Sequence, residues 1–113
     1  VRIAYLGANL SFEFAAAHQV RPDAETLCAM MRALTGKDKL EILRRCAAEP
    51  FSAAQLAASM NLNSGTVSRN VYGLYKLGYL ETRGDGERVN YITRPDALVR
   101  LFRWVLEYVS EQK

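Results

Sequence analysis

Residues 52–80 constrain the fold more than any other part of this 113-residue chain. Ser52-Ala-Ala-Gln55 has the form of a capping box, in which two side chains reciprocally satisfy backbone N–H groups at a helix start. It opens a short helix ending near Met60, with Leu56 as its apolar anchor. Asn61-Leu62-Asn63 leaves room only for a tight corner, and Asn63 or Ser64 can accept from the first-turn N–H groups of a second helix. Two helices joined by so short a corner form a helix-turn-helix.

The second helix is polarised. Stepping its residues by about 100° places Val67, Val71 and Leu74 in one narrow arc, with Gly65, Ser68, Arg69, Tyr72 and Lys76 opposite. The second arc holds no carboxylate. A helix in a major groove lies between two rows of phosphates, so hydroxyls and basic groups suit that setting. Ser64, Thr66 and Ser68 are expected to make short hydrogen bonds to phosphate or base edges of double-stranded DNA. Arg69 is the best candidate for a guanine contact, Lys76 for a phosphate, and Tyr72 for either. Gly73, in mid-helix, costs about 1 kcal/mol relative to Ala and implies close backbone approach or a tolerated softness. Gly78 stands where a chain leaves a helix in the left-handed region.

A polar face alone is the ordinary solvated side of an amphipathic helix; the flanking segments shift the balance. Residues 79–83 and 88–93 alternate as strands around Gly84-Asp85-Gly86-Glu87, a turn rich in residues that tolerate positive φ. Arg83 and Arg88 flank the hairpin tip and can reach a phosphate or the minor groove, although Asp85 and Glu87 oppose that attraction. Residues 63–94 carry five basic side chains (Arg69, Lys76, Arg83, Arg88, Arg94) against three acidic ones (Glu81, Asp85, Glu87). The whole chain has a net charge of only +3, too little to indicate nucleic acid by itself. Placement carries the argument.

From about Leu27 to Tyr108 the sequence resembles the ArsR-type winged helix-turn-helix transcriptional regulators. The resemblance lies in Arg32-Ala-Leu-Thr-Gly-Lys-Asp-Lys-Leu-Glu-Ile-Leu43, the helix of residues 52–60, Thr66-Val-Ser-Arg69, Leu77-Gly-Tyr-Leu80 and Arg88-Val-Asn-Tyr91, in matching order and spacing. It implies a mostly α fold with a small β-hairpin, dimerising through terminal helices, and repression of transcription. The chain departs from the pattern at Gly36-Lys37-Asp38-Lys39, where an Asp-Pro-Thr-Arg type start is common and capping should be weaker. It also carries Asn70 and Ser64 where His and Gln are frequent, so base preference does not carry over.

The remaining residues read as one compact domain, 23–113, preceded by an extension, 1–22, that begins with Val and is compatible with the end of an upstream domain. Residues 11–18 suit a short helix, and Arg21-Pro22 makes a break. A first helix over residues 23–34 places Leu27, Met30, Met31 and Leu34 on a core stripe. A second, over residues 37–48, has Leu40, Leu43 and Ala47 as its inner line and Arg44, Arg45 and Glu49 solvated. The last helix begins at Pro95, suited to a first turn, and runs through Ser110. Its apolar residues cover roughly 220° of the circumference, leaving Arg100, Arg103 and Glu107 for water. That is more than a one-sided helix needs. Leu98, Leu101, Phe102, Trp104, Val105 and Tyr108, with Phe12 and Phe14 from the extension, are therefore expected at a homodimer interface, against burial within the monomer or an upstream domain.

Many ArsR-like repressors sense metals through Cys and His clusters, but such a site needs three or four ligands. Here Cys28 and Cys46 lie on separate helices, without a CxxC pair, and the one histidine is His18. Both cysteines are expected to be small core residues, an intermolecular Cys–His site being the minor alternative; no metal and no cofactor are expected. Phosphate loops and nucleophile elbows are absent, so an enzyme is not expected. No apolar run approaches the roughly 20 residues that span a bilayer, and no signal peptide is visible, which points to a cytoplasmic protein without membrane contact. The competing reading is a winged-helix interaction or dimerisation module of a longer protein that does not touch DNA. No residue identifies an effector.

Overall fold

The computed structural model describes residues 20–84 and 88–111. The described residues form helices α1 (Ala24–Arg32), α2 (Lys37–Ala48), α3 (Ala53–Met60) and α4 (Ser64–Lys76), then strands β1 (Leu80–Arg83) and β2 (Asn90–Thr93), then helix α5 (Pro95–Ser110). This is the mostly helical winged helix-turn-helix plan expected from the sequence. Phe12, Phe14, His18 and the proposed helix around them lie outside the described residues, as do Asp85, Gly86 and Glu87 of the wing tip.

Local signals set the boundaries. Asp23 caps α1 by accepting from the Thr26 amide at 2.9 Å, whereas α2 starts after Gly36 without a side-chain cap. The capping box closes both ways at α3, with the Gln55 amide donating to Ser52 Oγ at 3.1 Å and the Ser52 amide to Gln55 Oε1 at 2.9 Å. Asn61 makes the corner in the left-handed region, at φ 56°. Asn63 then caps α4, its Oδ1 accepting from the amides of Gly65 at 2.8 Å and Thr66 at 3.2 Å. At the other end Gly78 takes φ 88°, and the amides of Gly78 and Tyr79 turn back onto the carbonyls of Tyr75 and Leu74, each at 3.0 Å. That is a Schellman stop.

The antiparallel hairpin pairs Leu80 with Thr93, Glu81 with Ile92, Thr82 with Tyr91 and Arg83 with Asn90. Gly84 has φ 144°, and a Cβ there would run into the Arg88 carbonyl oxygen. The loop before α3 also joins the sheet: Phe51 and Tyr91 exchange backbone hydrogen bonds at 3.2 and 2.7 Å. This bridge anchors the hairpin to the helix-turn-helix.

One core unites all the elements, drawing Leu27 and Met30 from α1, Ile42 and Leu43 from α2, Leu56 from α3, Val67, Val71 and Leu74 from α4, and Leu101 and Trp104 from α5. Two buried hydroxyls are satisfied: Thr93 donates to the Leu43 carbonyl at 2.7 Å and Tyr79 to the Met30 carbonyl at 3.3 Å.

Several expectations need correction. The inner line of α2 is Ile42, Leu43 and Cys46, not Leu40, Leu43 and Ala47. Leu40 is 58% exposed and Ala47 exposed, because the helix is rotated so that its 42/43/46 edge meets the core. Cys46 is buried as expected, but Cys28 is exposed on the outer side of α1. Arg100 is half-buried, its guanidinium 5.4 Å from the Trp104 ring centroid, and not simply solvated. Among the described residues no helix is long and apolar enough to cross a membrane.

Candidate nucleic-acid interface

Helix α4 is held by one face and free on the other. Val67, Val71 and Leu74 are almost fully buried, and this fixes the roll of the helix about its axis. The roll leaves Ser64, Ser68, Arg69, Tyr72 and Lys76 exposed and Thr66 half-exposed. The structure thus leaves all six side chains singled out on this helix outside the core, with Ser68, Tyr72, Lys76 and Arg69 following one another around its free side. No carboxylate occurs on α4. Its N-terminal turn adds partial positive charge from amides that Asn63 only partly satisfies.

The free side chains are loosely steered. Arg69 Nη2 lies 3.5 Å from Thr66 Oγ1, leaning the guanidinium toward the helix N-terminus. Lys76 Nζ sits 5.9 Å from the Tyr72 ring centroid, and Tyr72 is 61% exposed. Each long cation is thereby held against the helix without an acidic partner on α4.

The wing flanks this face through Tyr75, whose ring meets Tyr91 of β2 edge-on at 6.2 Å between centroids. Arg88 is exposed at the base of the tip, and Arg83 points outward with its Nη2 3.8 Å from Glu81 Oε2. Glu81 also lies 3.6 Å from Arg94, which donates to Asp96 at 2.7 Å and holds that carboxyl below its usual range. Sequence reasoning did not single out Glu81. Its signal was the two-residue spacing from Arg83, which puts both side chains on one face of a strand.

The expected interface residues on α5 divide. Leu101 and Trp104 are 0% and 4% exposed within the single chain, so the monomer's own core already occupies them. Leu98 and Val105 are half-buried, while Phe102 and Tyr108 remain exposed. Val99, Leu106 and Val109 join Phe102 to form an outer apolar stripe, each side chain at least 59% exposed. Tyr108 is covered on one side by Arg21, which also pairs with Glu111 at 2.9 Å. Among the described residues no group of three or more His, Cys, Asp or Glu side chains is placed to hold a metal ion.

No protein-family model and no curated protein matches the sequence. Solved structures do. An ArsR-like transcriptional regulator from Rhodococcus sp. RHA1 superposes with a TM-score of 0.65 at 23% identity, over 74% of this chain and 78% of that one. The homodimeric winged helix-turn-helix DNA-binding domain of a possible ArsR-family transcriptional regulator from Mycobacterium bovis gives 0.58 at 26% identity, over 87% and 86%. A crystal structure of the same Mycobacterium bovis fragment, residues 1–100, described as a possible transcriptional regulatory protein, aligns at 30% identity over 70% of this chain and 85% of that one, with a TM-score of 0.53.

Proposed function

The chain belongs to the ArsR-like family of winged helix-turn-helix transcriptional regulators, and on that premise we propose that it is a sequence-specific double-stranded DNA-binding repressor acting as a homodimer. The observation that carries this reading is the free face of α4, which is exposed and devoid of carboxylates. Ser64, Thr66 and Ser68 hydrogen-bond to phosphate or base edges, Arg69 reads a base, Lys76 holds a phosphate, and Tyr72 lies between them. Arg83 and Arg88 bring the wing to the backbone.

The outer stripe of α5 supports the dimer. Soluble monomers seldom leave a continuous apolar stripe in water, and covering the area these side chains still expose contributes about 1–2 kcal/mol each. A two-fold axis through Val99, Phe102, Leu106 and Val109, with Leu98, Val105 and Tyr108 at its margin, sets two reader helices against successive major-groove segments. Bound across a promoter, such a dimer excludes the transcription machinery.

The test is a fluorescence-anisotropy titration with random-sequence duplex at low salt, followed by selection of preferred sites from a random pool. Weak, steeply salt-dependent binding and a pseudo-palindromic selected site are expected. No binding even at low salt would return the chain to the class of winged-helix interaction modules.

A further inference from the structure

An open groove of about 650 Å³ runs between the last turn of α4 and strand β1, lined by Tyr75, Lys76, Glu81, Thr82 and Arg94 among others. It continues the free face of the reader helix, because Lys76 belongs to both. Glu81 stands between two of the cations in and beside it: its Oε1 lies 3.6 Å from Arg94 Nε, and its Oε2 lies 3.8 Å from Arg83 Nη2. Both separations exceed the roughly 2.7–2.9 Å of a charge-assisted hydrogen bond. The side chains involved are 41–64% exposed, so these are loose surface pairs of little net strength. Arg94 also pairs with Asp96, which accepts from its Nη2 at 2.7 Å and from its Nε, the nitrogen that faces Glu81, at 3.4 Å; this pair holds Arg94 beside the groove.

We infer that this groove is a seat for one phosphodiester of bound DNA, in which the Glu81 carboxylate occupies the anion's place in the free protein. The inference rests on the DNA-binding reading and adds an internal competitor to it. A carboxylate and a phosphodiester each carry one negative charge shared between two accepting oxygens, and each suits a guanidinium fork. Lys76, Arg83 and Arg94 supply the cations, and Thr82 supplies an exposed hydroxyl at the rim. An entering phosphate displaces Glu81 toward solvent, takes over Arg83 and meets the positive charge of Arg94, which keeps its pair with Asp96. Because phosphate contacts carry no sequence information, the carboxylate restrains binding to arbitrary DNA more than it restrains base readout by α4.

The experiment compares wild-type chain with Glu81→Gln, Glu81→Ala and Glu25→Gln on random duplex across a salt series, with thermal melts as the check on folding. Both Glu81 variants should bind about three- to tenfold more tightly near 0.1 M salt, with the slope of log affinity on log salt steeper by about 1. Glu25→Gln makes the same change in net charge on α1 and should leave the slope unchanged. Adding Arg83→Gln to Glu81→Gln should cancel much of the gain. Folded Glu81 variants that bind no more tightly than wild type would overturn the inference, as would an equal gain in Glu25→Gln. Absence of any duplex binding by the wild type would instead overturn the DNA-binding reading beneath it.

Discussion

The Tyr79 hydroxyl donates to the Met30 carbonyl across 3.3 Å in a fully buried position, fastening the residue that leaves the reader helix to α1. Burial pushes this phenol well above its ordinary value of 10.0, and pushes the Cys46 thiol from 9.0 up to about 11. Both groups are held in their protonated form by the fold. A raised pKa means that the folded chain keeps protons the unfolded chain has released, so the stabilisation is complete below the unfolded values and is lost as pH rises through the folded ones. Melting temperature should hold to about pH 9 and fall above it, more steeply past about pH 10. Tyr79→Phe should remove the tyrosine part of that decline while costing about 0.5–1.5 kcal/mol at neutral pH for the lost hydrogen bond.

Gly73 meets no neighbour within 4 Å of the position a Cβ would take, so the structure offers no close approach to account for it. Gly73→Ala should stabilise the chain by up to about 1 kcal/mol in denaturant unfolding, because alanine loses less backbone entropy in a helix.

Asn63 holds the first turn of α4 through two amides. Asn63→Ala should cost about 0.5–2 kcal/mol of stability. Because the proposed interface includes that turn, affinity for DNA should fall as well, and Asn63→Ser or Asn63→Asp should restore most of the stability in a melt.

The two sides of α5 should respond differently. Leu106→Glu places a charge on the outer stripe and should yield a folded monomer by size-exclusion chromatography with light scattering at micromolar concentration. Trp104→Ala, on the inner side, should cost about 3–5 kcal/mol of stability whatever the oligomeric state. A wild-type monomer in the first measurement would remove the case for the dimer.

Arg69→Ala should cost about 1–3 kcal/mol at the selected site and relax its sequence preference. A uniform loss across all duplexes would make Arg69 a phosphate clamp, with Tyr72 next in line as the base reader.

The helix-turn-helix could be read from the chain because its signals are local. Ser52 and Gln55, Asn63 and Gly78 each act within a few residues of themselves, and three buried residues fix the roll of α4. The roll of α2 was harder, since Leu40, Ile42, Leu43, Cys46 and Ala47 are all apolar and only contact with β2 and α4 selects an edge. The apolar surplus of α5 was visible, but 220° of apolar surface does not say which half the monomer keeps. That choice, Leu101 and Trp104 inside and Phe102 and Leu106 outside, depends on where α1 lies. The Phe51–Tyr91 bridge joins residues 40 apart through backbone alone, and no side-chain pattern encodes it. Cys28 shows the limit of residue-type reasoning: cysteine is usually buried, but its place on α1 turns it outward.

The division of α5 into a buried and an exposed edge bears on how its sequence can change. Its outer stripe touches little in its own chain, so substitutions at Val99, Phe102, Leu106 and Val109 would act on the proposed dimer and leave the fold to Leu101 and Trp104. On the proposed dimer, two duplicated copies that differ along this stripe would each pair with themselves, and the two regulators would be insulated without any change in α4.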